Sequence, residues 1–286
     1  ILNRVDSQLD QSLERLFDFL RIPSISTDPA HAVACRQAAE HCAALLNGLD
    51  IPAAVRDTTG HPVVLARTDT GAARRVLFYG HYDVQPVDPL DLWATPPFEP
   101  ALLEDGTGRK RIVARGACDD KGQVFTFIEA LRAHRDVTGR LPVDVTILLE
   151  GEEECGSPSL PAFLAAHAGE LGADVALVCD TGMWDRDTPA ITIGLRGILH
   201  CELTVKGADR DLHSGLFGGA ARNPTHVVAR IVSDLHDADG RITIPGFYDG
   251  VREPSAETRA QWASLGLTAE GFLGPVGLSV PAGESD

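Results

Sequence analysis

Apolar residues along this chain recur with two periods, and the change of period outlines alternating strands and helices. Leu9, Leu13, Leu16, Phe17 and Leu20 are spaced three or four apart, behind Asp6 and Ser7 as candidate caps and ahead of Pro23 as a stop. That spacing predicts an opening, packing helix. A second, alanine-rich helix is expected over 29–46, with Asn47-Gly48 as its C-terminal signal. Short strands are expected at 53–56, 63–67 and 112–114. Three runs are of another kind: 76–79 (V-L-F-Y), 145–149 (V-T-I-L-L) and 174–179 (D-V-A-L-V-C) are short and mostly apolar, as in strands buried on both faces of a parallel sheet. Helices are expected between and after them, over 124–134 and over 157–168, the latter with Ser157 as N-cap and Pro158 at its first position. This alternation predicts an α/β fold. From about Gly197 the character changes: 198–205 alternates like a strand, 208–219 reads as a loop and 224–235 as a helix. In the Gly-, Pro- and Ala-rich remainder only a short helix over 257–264 is expected.

Each of the three apolar runs ends in residues able to do chemistry. The first leads into Gly80-His81-Tyr82-Asp83, the second into Glu150, Gly151, Glu152, Glu153 and Glu154, and the third into Asp180. Taken singly, each has a plain reading. An H-x-D is a hydrogen-bonded turn, an acidic run is wet surface, and Asp119-Asp120 ahead of a helix are caps. In a parallel sheet, however, the carboxyl ends of the strands lie along one edge, so distant residues converge there. With Asp119 from a neighbouring loop, that edge carries one histidine and three or four carboxylates. The set suits a pair of divalent zinc-like ions bridged by a shared carboxylate, and the same donors accept manganese or cobalt. His81 can bind through one ring nitrogen while Asp83 accepts the other N–H. His31 and His41 have no ligand partner three or four residues on and read as ordinary helix histidines.

Composition narrows the partners. There are 41 acidic against 25 basic side chains, a net charge of −16. Such a balance disfavours nucleic acid and anionic membranes and favours cations. Six cysteines without a C-x-x-C pair point to reduced thiols and a cytoplasmic location. No apolar run reaches membrane-spanning length, so a soluble chain without membrane association is expected. At 286 residues the chain is long enough for one large domain or two smaller ones.

Five motifs then carry a resemblance: V-L-F-Y-G-H-Y-D-V-Q-P, R-G-A-C-D-D-K-G, L-L-E-G-E-E-E-C-G-S, I-T-I-G-L-R-G and D-L-H-S-G. In this order and at these separations they closely resemble the dinuclear zinc metallopeptidases that include carnosinase, peptidase V, aminoacylase and carboxypeptidase G, and most of all the carnosinase-like dipeptidase branch. The resemblance implies a zinc-aminopeptidase-like sheet with helices on both faces over 1–196, followed by the start of an α+β lid and dimerisation domain over 197–286. It implies His81 and Asp180 on one metal, Glu154 on the other, Asp119 bridging both, Asp83 supporting His81, and Glu153 as the general base. It also implies a cis peptide between Asp119 and Asp120, and a His213 that reaches the partner subunit's active site of a homodimer to stabilise the oxyanion. Dipeptidase members carry Asp where this chain has Asp180, whereas carboxypeptidase-like and deacylase members carry Glu. The implied activity is therefore hydrolysis of dipeptides or short peptides with two divalent ions, zinc foremost; the alternative is an N-acyl-amino-acid deacylase with the same metal centre. The family takes a further histidine ligand from near the C-terminus of a longer chain. No histidine follows His236 here, so the chain is expected to be an N-terminal portion, with both domains incomplete and its activity by itself impaired.

Overall fold

The computed structural model describes residues 1–282 and 284. The chain divides into two units, Ile1–Leu195 and a second that begins at Arg196.

The first unit opens with helices α1 (Leu2–Ser7), α2 (Leu9–Leu20) and α3 (Ala32–Asn47). Strands β1 (Ala53–Arg56), β2 (Val63–Arg67), β3 (Arg75–His81), β4 (Ala101–Glu104) and β5 (Lys110–Val113) follow. The unit is completed by α4 (Lys121–Thr138), β6 (Asp144–Glu150), α5 (Leu160–Leu171) and β7 (Val175–Val178). Five strands form one sheet in the order β1-β2-β6-β3-β7, while β4 and β5 make a separate hairpin. The three apolar runs are the parallel part, β3 lying between β6 and β7. The sheet as a whole is mixed, because β2 runs antiparallel to β6 and β1 antiparallel to β2. Every residue of β6 is buried. On one face α3 and α4 bring Cys42, Leu46, Val124 and Ile128 against Val64, Phe78, Ile147 and Leu149. On the other, Phe163 of α5 packs on Val63, Leu65 and Leu148. Helices therefore cover both faces at the centre of the sheet, whereas β7, at its edge, is exposed at all four residues and is not the strand buried on both faces that its apolar run suggests.

Asp144 anchors the start of β6. Its carboxylate accepts hydrogen bonds from Thr70 N (2.8 Å), Thr70 Oγ1 (2.9 Å), Thr68 Oγ1 (3.0 Å) and Ala72 N (3.2 Å), and Arg75 lies 3.5 Å away. The Thr70 backbone bond first, then the hydroxyls and Arg75, outweigh burial and hold this carboxyl down at about 2. One side chain thus ties the end of β2, the following turn and β3 to β6.

Two helix starts differ from the sequence pattern. Asp6 and Ser7 lie inside α1, and α2 begins after Gln8 without a side-chain cap. Helix α5 begins at Leu160 with Ser159 at its N-cap, not at Ser157. Gly156 and Ser157 both have positive φ, 87° and 52°, a turn that cannot continue into a right-handed helix. The Ser157 hydroxyl is instead bonded to Glu150.

The second unit contains α6 (Ser214–Phe217), α7 (Pro224–Asp234), α8 (Ala256–Ser264) and α9 (Ala269–Leu273). Asn223, Ser255 and Thr268 cap α7, α8 and α9 with side-chain oxygens. The strand expected over 198–205 does not form. Its alternation is present, but no neighbouring segment among the described residues supplies a ladder, and Ile198 and Leu199 remain 70% and 78% exposed. No helix among the described residues is long and apolar enough to cross a membrane.

Candidate metal centre

The centre is built at the carboxyl edge of the parallel strands. His81 is the last residue of β3 and lies opposite Glu150 of β6. The preceding position has no room for a side chain: a Cβ on Gly80 would come 2.6 Å from Val124 Cγ2 and 2.8 Å from Asp120 Oδ2. The start of α4 can therefore press directly on the strand end. His81 is fully buried. Its Nδ1 faces Asp83, 3.1 Å from the carbonyl oxygen and 3.3 Å from Oδ1. Its Nε2 faces Asp119 Oδ1 at 3.1 Å, Asp180 Oδ2 at 3.7 Å and Glu153 Oε2 at 4.0 Å.

Burial favours the neutral imidazole. The hydrogen bond and charge of Asp83, with the charges of Asp120 and Glu153, outweigh it and push His81 up to about 10. Burial raises the carboxyls of Glu153, Glu154 and Asp180, and carboxylate neighbours raise them further against the opposing pull of His81. Among the described residues, the ion pairs of Asp83, Asp119, Glu153 and Asp180 are all with His81. The edge is thus an acidic cluster with a single imidazole as its source of positive charge.

The acidic run sorts into two kinds of residue that the sequence does not distinguish. Glu150 is buried and accepts from Tyr79 Oη (2.5 Å) and Ser157 Oγ (2.9 Å). Glu152, also buried, accepts from the backbone N–H groups of His61 and Ser159, both at 3.0 Å. These two hold the loop together. Glu153 and Glu154 are half-buried and form the start of a 3₁₀ turn, Glu153–Cys155. Asp83 reaches this turn as well: its oxygens accept from Glu153 N at 3.3 Å and Glu154 N at 3.1 Å. Asp83 therefore links the imidazole to the turn that bears Glu153 and Glu154. The Glu154 carboxylate itself is engaged by Gln85 Nε2 at 2.6 Å.

Asp119 and Asp120 are joined by a cis peptide bond. Asp120 makes no side-chain cap on α4, since its Oδ2 accepts from His81 N at 2.9 Å. Burial, the largest cause, together with Asp180 and Asp119 raises its carboxyl to about 7 despite the hydrogen bond and charge of His81. Lys121 points elsewhere: its buried ammonium donates to the carbonyls of Phe19 (3.1 Å) and Ile22 (2.6 Å).

Of the residues singled out in the sequence, the structure brings His81, Asp119 and Asp180 into one group, with ligand atoms all within 4.8 Å of one another. Glu153 stands beside them and Asp83 behind the ring. Glu154 is outside this group of three, its carboxylate turned to Gln85. His213 lies in the second unit as the N-cap of α6, its Nδ1 accepting from Gly215 N at 2.9 Å. Gln85 and Asp120 lie within the first two motifs, but nothing in the sequence marks the contact of Gln85 with Glu154 or that of Asp120 with the His81 backbone. A divalent cation fits the group: one imidazole nitrogen and two carboxylates converge, and the ring's other nitrogen is held by Asp83.

Such a donor set lies at the carboxyl ends of the parallel strands, the edge at which open α/β sheets bind their ligands. The chain belongs to peptidase family M20/M25/M40, whose family model matches residues 77–278. A Cys-Gly metallodipeptidase of Schizosaccharomyces pombe is 32% identical over 289 residues, covering 96% of this chain and 60% of that protein. Two solved structures share the fold. One is an M20 family metallo-carboxypeptidase from Sulfolobus solfataricus, with a TM-score of 0.74 and 34% identity over 94% of this chain and 60% of that one. The other is human carnosine dipeptidase 1, with a TM-score of 0.75 and 28% identity over 97% of this chain and 60% of that one. The chain spans about 60% of the length of these relatives.

Proposed function

We propose that this protein hydrolyses the amide bond of dipeptides or short peptides at the edge formed by β3, β6 and β7. The observation that carries the reading is the convergence of His81, Asp119 and Asp180 within 4.8 Å, with Glu153 4.0 Å from the same imidazole nitrogen. His81, Asp119 and Asp180 would hold one divalent ion, and Asp119 with Glu154 a second. Zinc suits a donor set of imidazole and carboxylate, and manganese or cobalt are accepted by the same atoms. Bound there, divalent ions polarise a carbonyl and lower the pKa of water.

The protein's own groups do the rest. Asp83 holds Nδ1 of His81 and so aims Nε2 at the carboxylates. Glu153 takes a proton from the attacking water through its carboxylate and returns it to the leaving amine. His213 stabilises the oxyanion, acting across a homodimer made through the second unit. Dipeptide substrates fit the names of the metallodipeptidase and carnosine dipeptidase relatives better than N-acyl amino acids do. A cytoplasmic location agrees with six cysteines that are all free.

The test combines metal analysis of protein purified without chelator with specificity constants for a dipeptide and an N-acetyl amino acid in competition. Divalent metal with preference for the dipeptide is expected. Metal-free protein whose activity and melting temperature ignore chelators, or preference for the N-acetyl amino acid, overturns the reading.

A further inference from the structure

We infer that Gln85 is a positioning residue for Glu154, an inference that rests on the proposed reading of Glu154 as a metal ligand. Gln85 lies two residues past Asp83 on a stretch of backbone with little freedom. Val84 before it is fully buried, donates its N–H to Ser24 O at 3.0 Å and forms a bridge with Ile25. Pro86 after it has its φ fixed by the ring, and its carbonyl accepts from Arg115 Nη2 at 2.9 Å. From this fixed base the Gln85 amide nitrogen reaches Glu154 Oε2 at 2.6 Å and the Glu154 carbonyl oxygen at 3.4 Å. The two amide hydrogens thus face two acceptors of one residue. The reverse orientation would set the amide oxygen against two other oxygens, so the assignment of nitrogen and oxygen follows from the contacts.

Glu154 is consequently held at three points: its N–H by Asp83, and its carbonyl and one carboxylate oxygen by Gln85. A carboxylate with one oxygen occupied by a donor presents the other for ligation. The donor is neutral, so it orients the carboxylate without bringing a positive charge to compete with a cation. An ammonium at the same place would compete. Gln85 thereby lowers the ordering cost of binding an ion through Glu154.

The test uses Gln85→Met, which keeps the side chain's length and removes its donor, beside Glu154→Gln and the unaltered protein. Zn2+ affinity is read by competition with a chelator, and Co2+ loaded in its place is read by its visible absorption. Because Gln85 is exposed, the metal-free melting temperature of Gln85→Met should match that of the unaltered protein. The expected result is a roughly 10- to 100-fold loss of Zn2+ affinity for one ion and an altered Co2+ spectrum. Unchanged affinity and spectrum in Gln85→Met, with metal loss in Glu154→Gln, overturn the inference and leave the reading of Glu154 standing. Unchanged metal binding in Glu154→Gln overturns both. A lowered metal-free melting temperature in Gln85→Met, with affinity unchanged, marks Gln85 as a structural residue and also overturns the inference.

Discussion

The two units of this chain are organised by different ranges of interaction. In the first, strands distant in sequence are paired, and side chains such as Asp144, Glu152 and Asp83 each bind backbone from separate segments. In the second, the helices are stabilised by neighbours in sequence, with Asn223, Ser255 and Thr268 capping their own helices. No described residue of the second unit is buried. A helix satisfies its own backbone, whereas a strand needs a partner. The alternating segment 198–205 therefore shows what a strand pattern does without a ladder, and α7 shows what a helix pattern does without a core.

Four substitutions probe that contrast, in order of expected effect. Glu153→Ala should lower turnover by about 1000-fold or more while metal content stays at the level of the unaltered protein, because the base acts on the water and does not ligate. Loss of metal together with activity would assign Glu153 to the ligands instead. Asp144→Ala should destabilise the first unit by about 3 kcal/mol, since three segments lose a buried, charged acceptor. Denaturant unfolding measures this, and amide exchange in α7 and α8 should stay unchanged. Protection lost equally in α7 and α8 would show that the second unit depends on the first for its stability.

The same carboxyl gives a pH dependence. Its folded value is depressed to about 2 from an ordinary value near 4, so its stabilisation is complete above the ordinary value. As pH falls through about 2 that stabilisation is lost. Asp144→Ala should flatten acid unfolding in that window.

His213→Ala, in the second unit, should lower kcat on the order of 100-fold, the scale for removing an oxyanion stabiliser. Mixing it with Glu153→Ala should restore some activity if the histidine acts across a dimer; confirmed mixed dimers without recovery would confine it to its own subunit. The smallest effect belongs to Ser255→Ala. The Ser255 hydroxyl accepts from Thr258 N at 3.1 Å, and its loss should cost about 1 kcal/mol, seen as faster exchange confined to α8.

Legibility in the sequence follows the same division. The runs at 76–79, 145–149 and 174–179 announce parallel strands by their apolar composition, but only β6 is buried along its whole length, whereas β7 lies at the edge of the sheet with all four residues exposed. Their terminal residues announce the cluster because the topology of parallel strands sends all three ends to one edge. Composition alone cannot sort the acidic run: Glu150 and Glu152 differ from Glu153 and Glu154 only in which donors meet them, and those donors, Tyr79, His61 and Ser159, come from other segments. Hairpin strand β4 has no sequence signal, because its four residues, A-L-L-E, carry no β-branched or aromatic side chain. The start of α5 is hidden because Ser157-Pro158 has the composition of a cap, whereas Ser157 has the backbone of a turn.

The parallel register that sets His81 opposite Glu150, and Tyr79 opposite Val178, also bears on the order of events during folding. Asp180, just past β7, reaches His81 only after β3 has found β7 across a long intervening chain, and such non-local pairing is slow. An ion that needs all three of His81, Asp119 and Asp180 is expected to bind once that pairing is complete. Added metal should slow unfolding in proportion to the affinity it gains, while leaving the refolding rate where it was.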